Sequence, residues 1–238
     1  MLKIKIITAY PEMFPGNLGF SLIGKALKEK KFLLETINLH NFGIDNRRTI
    51  DDEPFGGGPG MVIRPDVVEK ALLSIKSNSP DNKKLQRIYL TPSGKPLNQH
   101  KLTKLANLDE LIILCGRFEG VDQRAIDVLG FEEISIGDYI LSGGEIAAQV
   151  IVEGCIRLIP GVLGQPESLL EESFSDNLLE YPHFTRPKVW TDAKKANHEV
   201  PEVLISGHHE KIKEWRKKKS VGKTKNIRPD LYRTKKDE

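Results

Sequence analysis

EISIGDYILSGGEIAAQVIVEGCIRL, residues 133–158, is the stretch whose reading decides the fold. Glu133–Ile136 alternates polar and apolar residues over the length of a short strand. Gly137, Gly143 and Gly144 then bracket a short apolar segment, and Gly144–Leu158 is apolar for most of its length, enough for a long helix. A strand, a glycine loop and a helix in that order form one unit of a parallel α/β sheet. Outward from it, Arg87–Thr91 and Leu111–Cys115 are short strands rich in Ile and Leu, with Leu97–Asn107 as a helix between them and Val121–Leu129 as the next. Nearer the start, Lys3–Ala9 and Phe32–Leu39 read as strands and Leu18–Glu29 as a helix. Gly43–Arg64 reads as a long loop, and Pro65–Ile75 as a helix with proline in its first turn. The expectation is an α/β fold, a mostly parallel sheet with helices on both faces. In such sheets ligands sit beyond the carboxyl ends of the strands, where the loops after Leu90, Cys115 and Ile136 lie.

The 238 residues, 39% of them apolar, suit one large domain or one domain with a smaller companion. No apolar run approaches the roughly 20 residues of a membrane span, and MLKIKIITAYPEMF lacks the pattern of a signal peptide, so no membrane partner is expected. Cys115 and Cys155 stand in apolar surroundings without a C-x-x-C partner, which argues against a disulfide framework or zinc and for a reducing, cytoplasmic setting. The net charge of +3 conceals a polarity: residues 211–238 hold 12 basic and 4 acidic residues, while the remainder is mildly acidic. A basic end on an acidic body points to a polyanion, nucleic acid first, though a solvated tail has the same composition. After Pro160 the chain loses periodicity through residues 161–187 and has linker composition. Val200–Lys219 is a lysine-rich helical segment, and Arg228–Tyr232 begins another short element.

Several common sites are excluded. Ser220–Thr224, SVGKT, carries part of a phosphate-binding loop, but Lys217 stands where its first glycine belongs and no strand precedes it. No G-x-G-x-x-G opens a helix after a strand. His208, His209 and Glu210 are adjacent without metal-ligand spacing, so no metal-binding residue is named.

What remains is a set of glycine loops and one helix face. DDEPFGGGPGM, 51–61, lets backbone amides approach a ligand, or is an ordinary loop. LTPSGKP (90–96), LCGRFEG (114–120) and IGDYILSGGE (136–145) each follow a strand. Together they would form a pocket walled by Ile136, Tyr139 and Leu141, suited to a cofactor carrying adenine and a sulfonium. On the following helix, Glu145, Gln149, Glu153 and Arg157 recur at i, i+4. Periodicity favours a solvated polar stripe with a Glu153–Arg157 pair, over a buried seam that turns Arg157 toward a substrate.

The segments YPEMF (10–14), DDEPFGGGPGM (51–61), CGRFEGVDQR (115–124), SIGDYILSGGE (135–145), RLIPGVLG (157–164) and PHFTRP (182–187) stand in the order and spacing of the bacterial tRNA (guanine-N1)-methyltransferases. The chain resembles that family along nearly its whole length. The resemblance implies the SPOUT class, with a deep trefoil knot binding S-adenosylmethionine and two antiparallel subunits completing each site. It implies a methyltransferase domain over 1–160, a mobile linker over 161–181, and a small all-helical tRNA-binding domain over 182–238. Cofactor contacts would fall on Leu90, Thr91, Pro92, Gly116, Glu119, Ile136, Gly137, Asp138, Tyr139, Ile140, Leu141, Gly143 and Gly144.

The implied reaction methylates N1 of guanosine 37 of tRNA, beside the anticodon and preceded by another guanosine. N1 carries a proton, so a general base must act and negative charge on O6 must be stabilised. Arg157 matches the family's catalytic arginine, and a magnesium ion would share its role. Glu119 would lie near the methionine moiety or the target base. The family's base is usually an aspartate directly before Ser-Phe; here that position is Glu172, with Glu171 as a substitute. Its extra methylene shifts the carboxylate by about a bond length, and small displacements are costly in catalysis. Ala147 stands where many relatives have proline. Two rivals remain: an RNA-binding protein that kept the fold without catalysis, and a methyltransferase of the class acting on another RNA site.

Overall fold

A computed structural model describes residues 1–76, 84–164 and 172–234; Glu171 and part of the expected linker lie outside the described residues. The chain divides into two units, Met1–Gly164 and Gln165–Glu238.

In the first unit the strands are β1 (Lys3–Thr8), β2 (Leu33–Asn38), β3 (Asp51–Asp52), β4 (Val62–Ile63), β5 (Leu85–Pro96), β6 (Glu110–Cys115) and β7 (Glu132–Ser135). Its α-helices are α1 (Ser21–Lys28), α2 (Pro65–Leu73), α3 (Gln99–Ala106), α4 (Gln123–Leu129) and α5 (Glu145–Ile156). Five strands form one sheet in the order β2-β1-β6-β5-β7, with every pairing parallel. The alternation of side chains splits the core. Ile4, Ile6, Ile88, Leu111 and Ile113 pack with Ile23 of α1, Leu105 of α3 and Ile151 of α5. Ile7, Tyr89, Ile112 and Leu114 pack with Val67 and Val68 of α2 and Ile126 of α4. Central β6 is buried at all six residues, as expected of a parallel strand covered on both faces. Local chemistry sets the helix ends: Asn98 accepts from Lys101 N at 2.8 Å, Asp122 from Arg124 N at 3.0 Å, and Gly130 closes α4 at φ 69°.

Three details differ from the sequence reading. LTPSGKP is a bulge inside β5 rather than a loop after a strand. Leu90 and Lys95 both pair with Ile134, and residues 91–94 stand out between them. The long loop before α2 contains the β3–β4 ribbon. The polar stripe on α5 is solvated only toward its end. Glu145 and Gln149 are buried, because residues 8–19 fold across them: Thr8 Oγ1 donates to Glu145 Oε1 at 2.7 Å and Gln149 Nε2 to Met13 O at 3.1 Å.

The second unit, expected to be all-helical, also contains an antiparallel hairpin of β8 (Val189–Thr191) and β9 (Asn197–Glu199). Helices α6 (His209–Ile227) and α7 (Pro229–Thr234) follow. Helix α6 runs straight through SVGKT, where Thr224 Oγ1 donates to Ser220 O at 2.7 Å and accepts from Leu179 N at 2.8 Å. Those two bonds bury Thr224 inside a lysine-rich helix and leave no phosphate-binding loop there. Among the described residues, no helix is long and apolar enough to cross a membrane.

Candidate active site

The bulge within β5 and the ends of β6 and β7 meet at a cavity of about 290 Å³, near the lower end of the roughly 300–1,000 Å³ of small-molecule sites. Its walls come from that bulge and from two glycine loops. Leu90, Thr91 and Pro92 line it from the β5 bulge, and Gly116 and Glu119 from the loop after β6. Ile136, Gly137, Tyr139, Ile140, Leu141, Gly143 and Gly144 line it from the segment between β7 and α5. Asp138 is exposed and absent from the lining, although its neighbours on both sides belong to it.

The backbone approaches too closely for side chains at several of these positions. A Cβ at Gly116 would lie 3.0 Å from the Tyr89 ring, and one at Gly144 2.9 Å from Cys115 Cα. Gly137 adopts φ +151°. Gly144 N donates to Gly116 O at 2.9 Å, and Arg117 bridges to Gly143, so the segment leaving β7 crosses β5 and locks onto the end of β6. The lining is therefore mostly backbone and apolar carbon, with Arg117 and Glu119 as its charged side chains. Space lined by apolar side chains with backbone donors and acceptors suits an adenine-bearing cofactor, so the residues present fit S-adenosylmethionine.

Residues the sequence reading did not assign to the cofactor shape the floor. Arg117 Nε lies 3.0 Å from Glu145 Oε2, while its guanidinium stacks 4.3 Å from the Tyr10 ring centre. Burial pushes the Tyr89 phenol up, and the Glu133 charge adds to it. Burial also pushes the Cys115 thiol well up beneath the floor, with Glu145 reinforcing and Arg117 opposing. The signal for Arg117 was its place inside LCGRFEG; its partners are distant in sequence.

Neither expected catalytic residue lines the cavity. Arg157 caps the far end of α5, whose twelve residues span about 18 Å at 1.5 Å each. Glu172 belongs to the second unit, in a turn where its carbonyl accepts from Ser175 N at 3.2 Å. Among the described residues, no three His, Cys, Asp or Glu side chains come together as a metal cage.

A family model described as tRNA (Guanine-1)-methyltransferase TrmD matches residues 2–234. A tRNA (guanine-N(1)-)-methyltransferase of Rhodospirillum rubrum is 50% identical over 231 residues, 97% of this chain and 92% of the relative. One from Wolbachia pipientis subsp. Culex pipiens is also 50% identical over 231 residues, covering 96% of each chain. One from Rhizobium etli is 46% identical over 230 residues, 97% of this chain and 95% of the relative. With the match running through the cavity loops and the second unit alike, the chain belongs to the tRNA (guanine-N1)-methyltransferase family.

Proposed function

We propose that the protein is a tRNA methyltransferase in which the strand-end cavity holds S-adenosylmethionine, the acceptor being N1 of guanosine 37 with a guanosine before it. The observation that carries this is the meeting of the β5 bulge and two glycine loops at one cavity, in a chain matched to the family over residues 2–234. When bound, S-adenosylmethionine supplies an electrophilic methyl group on a sulfonium. Glu172 takes the N1 proton as general base, and Arg157 donates to O6 as charge develops there. Glu119, on the lining, sits beside the methionine moiety or the target base. A magnesium ion would share the stabilisation of O6 with Arg157.

Catalysis in this scheme belongs to a homodimer of antiparallel subunits. The distance from the cavity to Arg157 along α5 supports it, because a second copy can bring its own Arg157 to the site. Exposed apolar residues support it too: Ile146 and Val150 on α5, and Phe20, 74% exposed, before α1. The segment leaving β7 and crossing β5 to reach β6 supports the trefoil knot. The methyltransferase domain would cover 1–160, with a linker over 161–181 and a tRNA-holding domain over 182–238. Helix α6, with its many lysines, supports the last assignment. The two buried cysteines are unpaired, which fits a cytoplasmic setting.

The test is transfer from methyl-labelled S-adenosylmethionine to unmodified tRNA, with the modified nucleotide mapped. Label at N1 of guanosine 37 is expected; label on ribose or another base refutes the acceptor. Absence of transfer with intact tRNA binding leaves the RNA-binding reading. Glu172→Gln should lose most turnover with cofactor affinity barely changed. A larger loss in Glu171→Gln would move the base by one residue.

A further inference from the structure

The charged side chains on the cavity lining are Arg117 and Glu119. The cofactor of the proposed reaction is cationic at its reacting sulfur, and its product is a neutral thioether. A bare guanidinium on the wall would oppose the first and not the second. Arg117 is instead held by groups of its own chain. Its Nε faces Glu145 Oε2 at 3.0 Å, Nη1 donates to Ser142 O at 3.3 Å, and Nη2 points to Met13 Sδ at 3.2 Å.

Glu145 is the unusual member of this cluster. It is 1% exposed at the first residue of α5, a helix whose other buried residues are almost all apolar. Burying a carboxylate costs several kcal/mol before its partners offset it, and tying down an arginine does not require that. Three features stabilise its charge: Arg117, the hydroxyl of Thr8 at 2.7 Å, and the helix amino terminus. The charge thus sits just under the loop that carries Gly143, where a Cβ would come within 2.6 Å of Glu145 Oε2.

We propose that Glu145 is a positioning residue that sets the charge preference of the cofactor site. It offsets Arg117 on the wall, leaves Glu119 as the lining charge without an ion-pair partner among the described residues, and so biases the cavity toward the sulfonium over the thioether. Through the same pair it holds residues 142–144 against the segment Thr8–Met13.

The inference rests on the cofactor reading above, and the experiment separates the two. Dissociation constants for S-adenosylmethionine and S-adenosylhomocysteine are measured by calorimetry on the full-length protein. Glu145→Gln uncovers a cation, so the sulfonium should weaken about tenfold relative to the thioether, the scale of one charge acting through partly solvated protein. Arg117→Gln uncovers an anion, so the ratio should move the opposite way, and the double variant should return near the wild-type ratio. A purely structural role weakens both ligands together in both variants, and that result overturns the proposal. Should Glu145→Gln not fold, the sign of the Arg117→Gln shift decides alone. Wild-type protein that binds neither ligand would refute the cofactor reading instead.

Discussion

Gly144→Ala tests whether the cofactor loop is stacked rigidly on the sheet. Gly144 sits at φ −78° and ψ −9°, a conformation alanine adopts freely, so the perturbation is steric alone. The new methyl would meet Cys115 Cα at 2.9 Å, Gly116 N at 3.1 Å and Cys115 Cβ at 3.2 Å. Carbon atoms settle at about 3.5–4.0 Å, so something must move by roughly 0.6–1 Å. Strand β6 is not free to move: it is buried throughout and bonded to β1 and β5 on its two sides. The loop gives way instead, stretching the 2.9 Å bond from Gly144 N to Gly116 O and lifting residues 137–143 from the cavity. Overpacking of this kind costs about 1–3 kcal/mol of stability. A displacement near 1 Å at a reacting site costs on the order of 10²-fold in rate. The assay is a thermal melt beside cofactor titration and kcat/KM, with Gly164→Ala as control, since nothing lies within 4 Å of a Cβ there. Wild-type melting and wild-type cofactor affinity in Gly144→Ala would refute the stacking argument.

The remaining predictions concern other parts of the molecule. Burial pushes the Cys155 thiol up to about 12 and the Cys115 thiol well above its usual value. At pH 8 only about one Cys155 in 10⁴ is then thiolate, so neither cysteine should react with a disulfide reagent until denaturant is added; rapid labelling of the native protein refutes their burial. In α6, Lys218 and Lys219 line a groove with Trp215 and Gly222. Reversing both lysines to glutamate should weaken tRNA binding and flatten its salt dependence by about two units of slope, with cofactor affinity unchanged; an unaltered slope removes this face from tRNA contact. Gly222→Ala meets nothing within 4 Å and should raise the melting temperature through a helix gain of about 0.5–1 kcal/mol, whereas destabilisation would show hidden packing there.

The sheet and its helices were legible because each element carries its own period: β-branched runs in β1 and β6, apolar length in α5. The misreadings share one cause, which is that the deciding contact is distant in sequence. Nothing within LTPSGKP says that Leu90 and Lys95 will share Ile134, so a bulge reads as a loop. Strands β8 and β9 have three residues each, too few to establish alternation, and they pair only through the intervening turn. Helix α6 has no apolar stripe to mark where it stops, so its extension to Ile227 shows only in three dimensions. The cavity glycines were readable as strand-end loops, while the Arg117–Glu145 pair joins residues 28 positions apart.

That division also bears on how the proposed enzyme works. A small cofactor fits the strand ends of one sheet, and the groups suited to it, Gly116, Gly137 and Gly144 with the Arg117–Glu145 pair beneath, come from a single chain. A tRNA must arrive from outside, and the residues proposed for its chemistry belong to different parts of the chain. Arg157 stands at the far end of α5 and Glu172 in the second unit. In the proposed scheme cofactor binding does not depend on Glu172. That scheme requires cofactor affinity to survive Glu172→Gln, the same outcome that assigns the base.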